Sequence, residues 1–492
     1  MAATSACVDG LPPEIVSQIF DHLSTRAPSE VLLHEQPRED MFLSTSNSSS
    51  SHSENGLQRP ERSADLKSVS RVSKRWRTLA LPSLFRHVLW QPKVTSLSVF
   101  DLQPIPLLQF LLSNSLDHYV TTFTLLVDYS ETEIYPADFP RQMRTADLEW
   151  LWDRLFSVID PSRFTIIAPP STLAAFLNRM LFLDDAWSFD IPYHILSLAR
   201  PGRKAKTPGC SLVPTRGLPL SASLSPELVK SDAALTEATN AKIETMRSSQ
   251  PSRANAPAER HRPCKTTDAP TSPLFILRPW TSILLNEGSS IRAYQTYEFF
   301  LRQPPSMLSA LLGIGEYPNN QPLLPSTITD FNYIAIFPLA SHVQTLLSDL
   351  PKLDRLFVQL TPRPTNQVLQ DQKAMKNIDM ADLWMERNTA YSHLFAELTQ
   401  AEPHNNWASL KVFESGDAAD KESWNMALDF LKRSGINNWI AERDGVLVKV
   451  DEAGNPEQSA STAEHHLLRE ESLNGSLLSV APSLLYAHHI SG

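Results

Sequence analysis

Apolar residues recur at helical spacing twice near the N-terminus. After Leu11-Pro12-Pro13, the residues Ile15, Ile19 and Leu23 fall every four positions and Val16 and Phe20 widen the stripe, which predicts an amphipathic helix. The two prolines suit a helix start, where a missing N–H costs nothing, and Glu14 sits in the first turn on the favourable side of the helix dipole. A second stretch begins at Asp65, read as an N-cap. It puts Val69, Val72, Trp76 and Leu79 on one face and Lys67, Arg71, Lys74, Arg75 and Arg77 on the other. A helical pair this short cannot bury both apolar faces by itself, so part of that surface needs a partner, either the rest of the chain or another protein.

Between the two stretches, residues 24–64 hold the run Ser44-Thr45-Ser46-Asn47-Ser48-Ser49-Ser50-Ser51. Such polar composition buries too little surface to offset its ordering entropy, so a loose surface loop is expected there. Its length adds only slowly to the cost of closing the helical pair.

Beyond this the pattern alternates between strands and helices. Strands are predicted at Leu84–Trp90, Thr121–Val127, Arg163–Ile167, Trp187–Ile191, Thr329–Phe337, Leu353–Leu360 and Ala408–Phe413. Helices are predicted at Asp147–Val158, after Pro169-Pro170 with Ser171 as cap and Leu173, Phe176, Leu177 and Met180 on one face, and at Ile291–Leu301. Further helices are expected around Val343, Leu346, Leu347 and Leu350, at Ala381–Leu398 and at Ser423–Lys432. Trp439–Arg443 and Val446–Val450, joined through Asp444-Gly445, predict a terminal hairpin. Phe164 to Phe189 and Phe331 to Leu356 are each about twenty-five residues apart, a step within the range of leucine-rich-type repeats. Alternating strands and helices at that step favour parallel strands covered by helices in a curved arc rather than a doubly wound sheet.

Composition bounds the rest. A chain of 492 residues with 42% hydrophobic content has room for two or more domains and a sizeable core. Residues 200–271 are rich in Pro, Ser, Ala and Thr and are expected to form a flexible insertion with at most one weak helix near Glu227–Met246. Arg200-Pro201-Gly202-Arg203-Lys204-Ala205-Lys206 is read as a solvated basic cluster at its start, and 451–492 as a mostly flexible tail. The net charge of -10 argues against a general nucleic-acid binder. Cys7, Cys210 and Cys264 are scattered, which fits a reducing compartment and excludes a disulfide framework and a cysteine zinc site. No apolar run approaches the roughly eighteen residues of a membrane span, and residues 1–10 lack signal-peptide features, so a cytoplasmic or nuclear chain without membrane contact is expected.

Enzymatic signatures are missing. The chain has no Gly-x-x-x-x-Gly-Lys-Ser/Thr, Gly-x-Gly-x-x-Gly, Gly-x-Ser-x-Gly or His-Glu-x-x-His. His465-His466 and His488-His489 are adjacent pairs that do not face one metal, and Asp184-Asp185 reads as a solvated turn. The expectation is therefore a chain without catalytic residues, metal ligands or cofactor.

Two quoted segments carry a family likeness. Leu11-Pro12-Pro13-Glu14-Ile15, followed by an apolar helix, and Asp65-Leu66 leading into Val72-Ser73-Lys74-Arg75-Trp76, together resemble the F-box, the three-helix adaptor module of SKP–cullin–F-box ubiquitin ligases. The resemblance implies an α/β chain with an N-terminal F-box over 8–90, interrupted at 24–64, followed by an irregular leucine-rich-repeat-like strand/helix arc over 91–199 and 272–450. It also implies a substrate receptor that docks on a Skp-family adaptor and, indirectly, on a cullin and a RING protein. A target protein, which the sequence does not name, would be presented for ubiquitination. The adaptor-binding residues it implies are Leu11, Pro12, Ile15, Ile19, Leu23, Val69, Val72 and Trp76. A non-ligase interaction or scaffold protein using the same module for another partner is the alternative.

Overall fold

Both prolines open the first helix, and the apolar periodicity that follows is the one the structure uses. The computed structural model describes residues 11–24, 27–37, 62–92, 104–127, 149–179, 181, 189, 191–201, 272–314, 322–400, 405–435 and 438–450. The chain divides into two units, Met1–Pro201 with Ala269–Gly492, and Gly202–Asp268, and all described residues belong to the first. The serine run at 44–51, the helix expected near Glu227–Met246, Asp184-Asp185 and the tail histidines lie outside the described residues.

Among the described residues four helices come first: α1 (Pro13–Leu23), α2 (Pro28–Val31), α3 (Arg62–Val69) and α4 (Lys74–Leu84). The single helical face expected from Asp65 onward is broken. Asp65 lies within the first turn of α3, not at its cap, and the chain turns at 70–72. Ser73 then caps α4, its hydroxyl accepting from the Trp76 N–H at 3.1 Å.

A ten-stranded mixed, mostly parallel sheet follows, with strand order β1-β2-β3-β4-β5-β6-β7-β8-β10-β9. β1 (His87–Trp90), α5 (Ile105–Ser113), β2 (Thr122–Leu126), α6 (Glu149–Val158), β3 (Arg163–Ala168), α7 (Pro170–Phe176) and β4 (His194–Ala199) form its first half. The second half comprises α8 (Pro273–Ile276), β5 (Ser282–Ser289), α9 (Leu308–Leu312), β6 (Asp330–Ile336), α10 (Ala340–Ser348), β7 (Arg355–Gln359), α11 (Met380–Leu398) and β8 (Val412–Ser415). α12 (Lys421–Arg433) and the hairpin β9 (Trp439–Arg443) and β10 (Val446–Lys449) close the series. Gly445, at φ +81°, makes the turn, and a bulge follows at Val446/Leu447.

Several expectations are corrected. Pro169, not Ser171, is the N-cap of α7, because Pro170 already supplies the first helical φ. Trp187–Ile191 gives no strand among its described residues; the strand is His194–Ala199, and it runs antiparallel to both neighbours. An apolar run specifies burial but not direction, so the expectation of parallel strands fails at β4, while the terminal hairpin forms antiparallel as expected. Ile291–Leu301 forms two 3-10 turns, Ile291–Gln295 and Phe299–Leu301, in place of one helix. Leu274–Ile276 lie in the short helix α8 with Leu277 as its C-cap, and β5 behind it was not anticipated.

Side chains alternate strictly across the sheet, and both faces are covered. Phe123, Phe164, Leu196, Ile283, Phe331, Leu356 and Phe413 face a large core shared with α5 through α12. Leu126, Ile167, Ile195, Leu284, Ile334 and Phe357 face a second cluster with Leu33, Tyr294 and Leu383. Within the first core Phe164 stacks on Phe123 at 5.6 Å and meets the edge of Trp152 at 5.8 Å. Arg200, expected in a solvated cluster, instead pairs with Asp160 and lies over Trp280.

Phe164→Ala should cost about 3–5 kcal/mol in urea unfolding, since a fully buried ring leaves a cavity among rigid aromatic neighbours. Phe300→Ala, at a ring that is 64% exposed, should stay within about 0.5 kcal/mol.

Candidate functional site

The three helices α1, α3 and α4 pack on one another around Val16, Phe20, Leu66 and Ala80. Phe20 and Trp76 meet at 5.7 Å, the Arg75 guanidinium donates to the Leu11 carbonyl, and Ser83 donates to Asp21 at 2.7 Å. The two sequence segments, separated by residues 24–64, are thus joined in space. Of the eight residues singled out, Leu11, Leu23, Val69 and Trp76 pack half-buried against this small core. Pro12, Ile15, Ile19 and Val72 face outward; Ile15 is 43% exposed, Ile19 45% and Val72 63%. Steps of four residues explain the split on α1. Val16 and Phe20 share one edge of the apolar stripe, while Ile15 and Ile19 share the other, one residue and about 100° away. Lys67, Arg71, Lys74, Arg75 and Arg77 are all exposed.

A second surface was hidden by composition. Residues 27–37, expected within a loose loop, lie against the second face of the sheet; Ala27, Ser29, Leu33 and Pro37 are buried. Thr124 donates to the Ser29 hydroxyl at 2.7 Å and Glu30 pairs with Arg163 at 3.4 Å. The Asn286 amide donates to the carbonyls of Leu33 and Glu35, both at 2.8 Å, and Gln359 reaches the His34 carbonyl at 3.4 Å. The His34 ring sits edge-on to Phe357 at 5.0 Å. Burial, reinforced by Arg363, Arg355 and Arg163, lowers its pKa to about 3. It is therefore neutral at pH 7. Farther along the same face Arg355 bridges Asp330 and Glu414.

On the opposite face the sheet holds a buried polar cluster. Glu287 is 5% exposed; one carboxylate oxygen accepts from Ser306 Oγ (2.6 Å) and the Met307 and Leu308 N–H groups, the other from Tyr333 OH (2.9 Å), with His342 Nε2 at 3.0 Å. Burial alone would raise this carboxyl, but hydrogen bonding to His342 and Ser306 and the charge of nearby histidines bring it down to about 2. Ser306 and Glu287 meet the same nitrogen of His342, unlike a nucleophile–base–orienter relay, in which the two partners take opposite ring nitrogens. The cluster fastens the start of α9 to the sheet. Beside it His194 is fully buried with neither ring nitrogen hydrogen-bonded, and burial lowers its pKa to about 4.

A cleft between α11 and α12 is lined by Arg387, Tyr391, Phe395, Asp417, Trp424 and Phe430. Its polar floor already serves the fold. Asp417 accepts from the Leu360 and Thr361 N–H groups, from Thr361 Oγ1 and from Tyr391, and Arg387 donates to Asn388, Asp420 and Ser423. Among the described residues no group of three or more His, Cys, Asp or Glu is placed to hold a metal ion. Among them, too, no helix is long and apolar enough to cross a membrane.

Sequence reading missed Asn286, Glu287, Gln359 and Asp417. The signal for the first two was a pair of polar residues following Ile283-Leu284-Leu285 without a turn-forming residue between. No family model, no curated protein and no solved structure matches this chain.

The buried histidine gives a pH test. The folded pKa of His194 is below the unfolded value near 6.5, so the unfolded chain binds more protons between pH 4 and 6.5 and stability rises with pH through that window. On going from pH 7 to pH 5 the wild type should lose about 2 kcal/mol more than His194→Phe. Equal losses in urea titrations at the two pH values would remove His194 as the cause.

Proposed function

We propose that this chain is a substrate receptor of an SKP–cullin–F-box ubiquitin ligase. The unit of α1, α3 and α4 is its F-box, docking on a Skp-family adaptor, and the sheet body is a degenerate leucine-rich-repeat-like arc that carries the target. The observation that supports this best is the divided stripe of α1. Val16 and Phe20 complete a small core at 2% and 3% exposure, while Ile15 and Ile19 stay in water. An apolar arc wider than its own core has surface left for a partner. The motif Leu11-Pro12-Pro13-Glu14-Ile15 and the Val72–Trp76 segment support the same reading, and the turn at 70–72 gives the three helices the family resemblance implies. For the body, support comes from strands that follow one another in sheet order from β1 to β8, with α5 through α12 all contributing to the core on one face. The antiparallel β4 departs from a regular repeat.

In this reading the chain makes and breaks no bonds. It raises the target's effective concentration near the conjugating enzyme. Ile15→Asp with Ile19→Asp should weaken adaptor binding at least a hundredfold, about 3 kcal/mol for two apolar side chains, with unfolding by urea little changed. Phe20→Ala should instead destabilise the module itself. Unchanged adaptor affinity in the double variant overturns the assignment, and co-purification of adaptor without cullin would favour a scaffold outside the ligase.

A further inference from the structure

Most polar groups at the cleft between α11 and α12 are taken up by the fold, but one is only half used. The Arg387 side chain is 4% exposed, and it lines the cleft. All three of its hydrogen bonds leave from Nη1, to Asn388 Oδ1 (3.0 Å), Asp420 Oδ2 (3.2 Å) and Ser423 Oγ (2.9 Å). Its Nε is buried and meets no acceptor. The Tyr391 and Trp384 rings lie 5.1 and 5.6 Å from Cζ, which holds the guanidinium in place before anything binds.

A guanidinium carries five N–H donors in a fixed fork. The edge made by Nε and Nη2 has no partner among the described residues. Tying α11 to Asp420, the N-cap of α12, uses Nη1 alone, and an ammonium group offers donors enough for that task. The second edge is thus surplus to the fold, and a buried charged donor without an acceptor is costly to keep.

The space beside it defines what would meet that edge. The cleft holds about 230 Å³, and Phe395, Trp424, Ala427 and Phe430 give it apolar walls. An apolar cavity of about 150 Å³ takes one benzene molecule, so this volume suits a single ring with a short arm. Aromatic walls favour a flat ring in offset or edge-to-face contact. Charge selects the end of the arm. Arg387 is already paired with Asp420 at 3.2 Å, and Asp417 lines the same cleft. A carboxylate would bring a further negative charge beside two others, whereas a neutral carbonyl accepts from the edge without that repulsion.

We propose that the cleft between α11 and α12 is a binding site for a small uncharged aromatic compound bearing one carbonyl. Its ring lies among Phe395, Trp424 and Phe430, and its oxygen accepts from the Nε–Nη2 edge of Arg387. No residue of α1, α3 or α4 takes part, so the inference goes beyond adaptor docking and does not rest on it.

Ligand-observed saturation-transfer NMR on the full chain tests this, with 3-phenylpropanamide as the probe. Saturable binding is expected at a Kd on the order of 1 mM, as about eleven non-hydrogen atoms allow. The carboxylate 3-phenylpropanoate should bind at least tenfold more weakly. Arg387→Lys, which keeps a donor for Asp420 and loses the second edge, should weaken amide binding at least tenfold. Ala427→Leu leaves Arg387 in place, fills the cleft and should abolish binding. No saturable binding to the wild type overturns the proposal, as does tighter binding of the carboxylate. Wild-type affinity in either folded variant overturns it too. Should Arg387→Lys fail to fold, Ala427→Leu and the ranking of amide over carboxylate decide. Adaptor binding through Ile15 and Ile19 is measured separately, so either result stands without the other.

Discussion

The constraint on which this fold depends is the two-sided burial of a ten-stranded sheet. Along β2, β3, β5, β6 and β7 successive residues point to opposite sides, and both sides are largely apolar and shut off from water. Such strands cannot persist with one face wet. The helices between the strands seal one side. The other is closed from irregular pieces: the 3-10 turn at Ile291–Gln295, the start of α11 at Leu383, and the segment around Leu33. The N-terminal unit is therefore more than an appendage, because the chain emerging from α1 completes the covering of the sheet.

How far the sequence reveals this follows from where the information lies. Strands β2, β3, β6 and β7 were legible because each is an apolar run bounded by polar or turn residues, and α11 and α12 because their apolar positions keep a helical period. β5 was not, because Asn286 and Glu287 interrupt its run. Their burial is licensed by partners on other segments, among them Leu33, Glu35, Ser306, Met307, Leu308, Tyr333 and His342. β4 ends at Ala199, directly before Arg200-Pro201, and its short run merges with a shift in composition. Leu32-Leu33 was obscured in the same way, two apolar residues in a stretch whose average is polar. The outward surface of α1 was legible only as a stripe; a 100° difference between neighbouring residues decides which edge is core, and that needs the partner helices.

The outward face of α1 and the second face of the sheet differ in kind. On α1, aliphatic side chains stand in water with their hydrophobic free energy unspent, which favours a partner that stays. On the second face of the sheet, an apolar cluster and its hydrogen-bonding neighbours are covered by a segment of the chain itself, through Leu33, the Glu30–Arg163 ion pair and main-chain carbonyls.

Two adjacent residues show how each face of the sheet is held. Asn286 and Glu287 are neighbours on β5 and point to opposite sides. The Glu287 carboxylate is held by a hydroxyl, two N–H groups at the start of α9, a phenol and an imidazole, all from the body of the fold. Removing that layer would strand a buried charge, a cost of several kcal/mol, so α9 and α10 do not leave the sheet short of unfolding. Asn286 is neutral; its amide N–H groups donate to the Leu33 and Glu35 carbonyls and its Oδ1 accepts from the Gly288 N–H. A charge held on one side and an amide held on the other thus tie β5 to both of its covering layers at a single step along the strand.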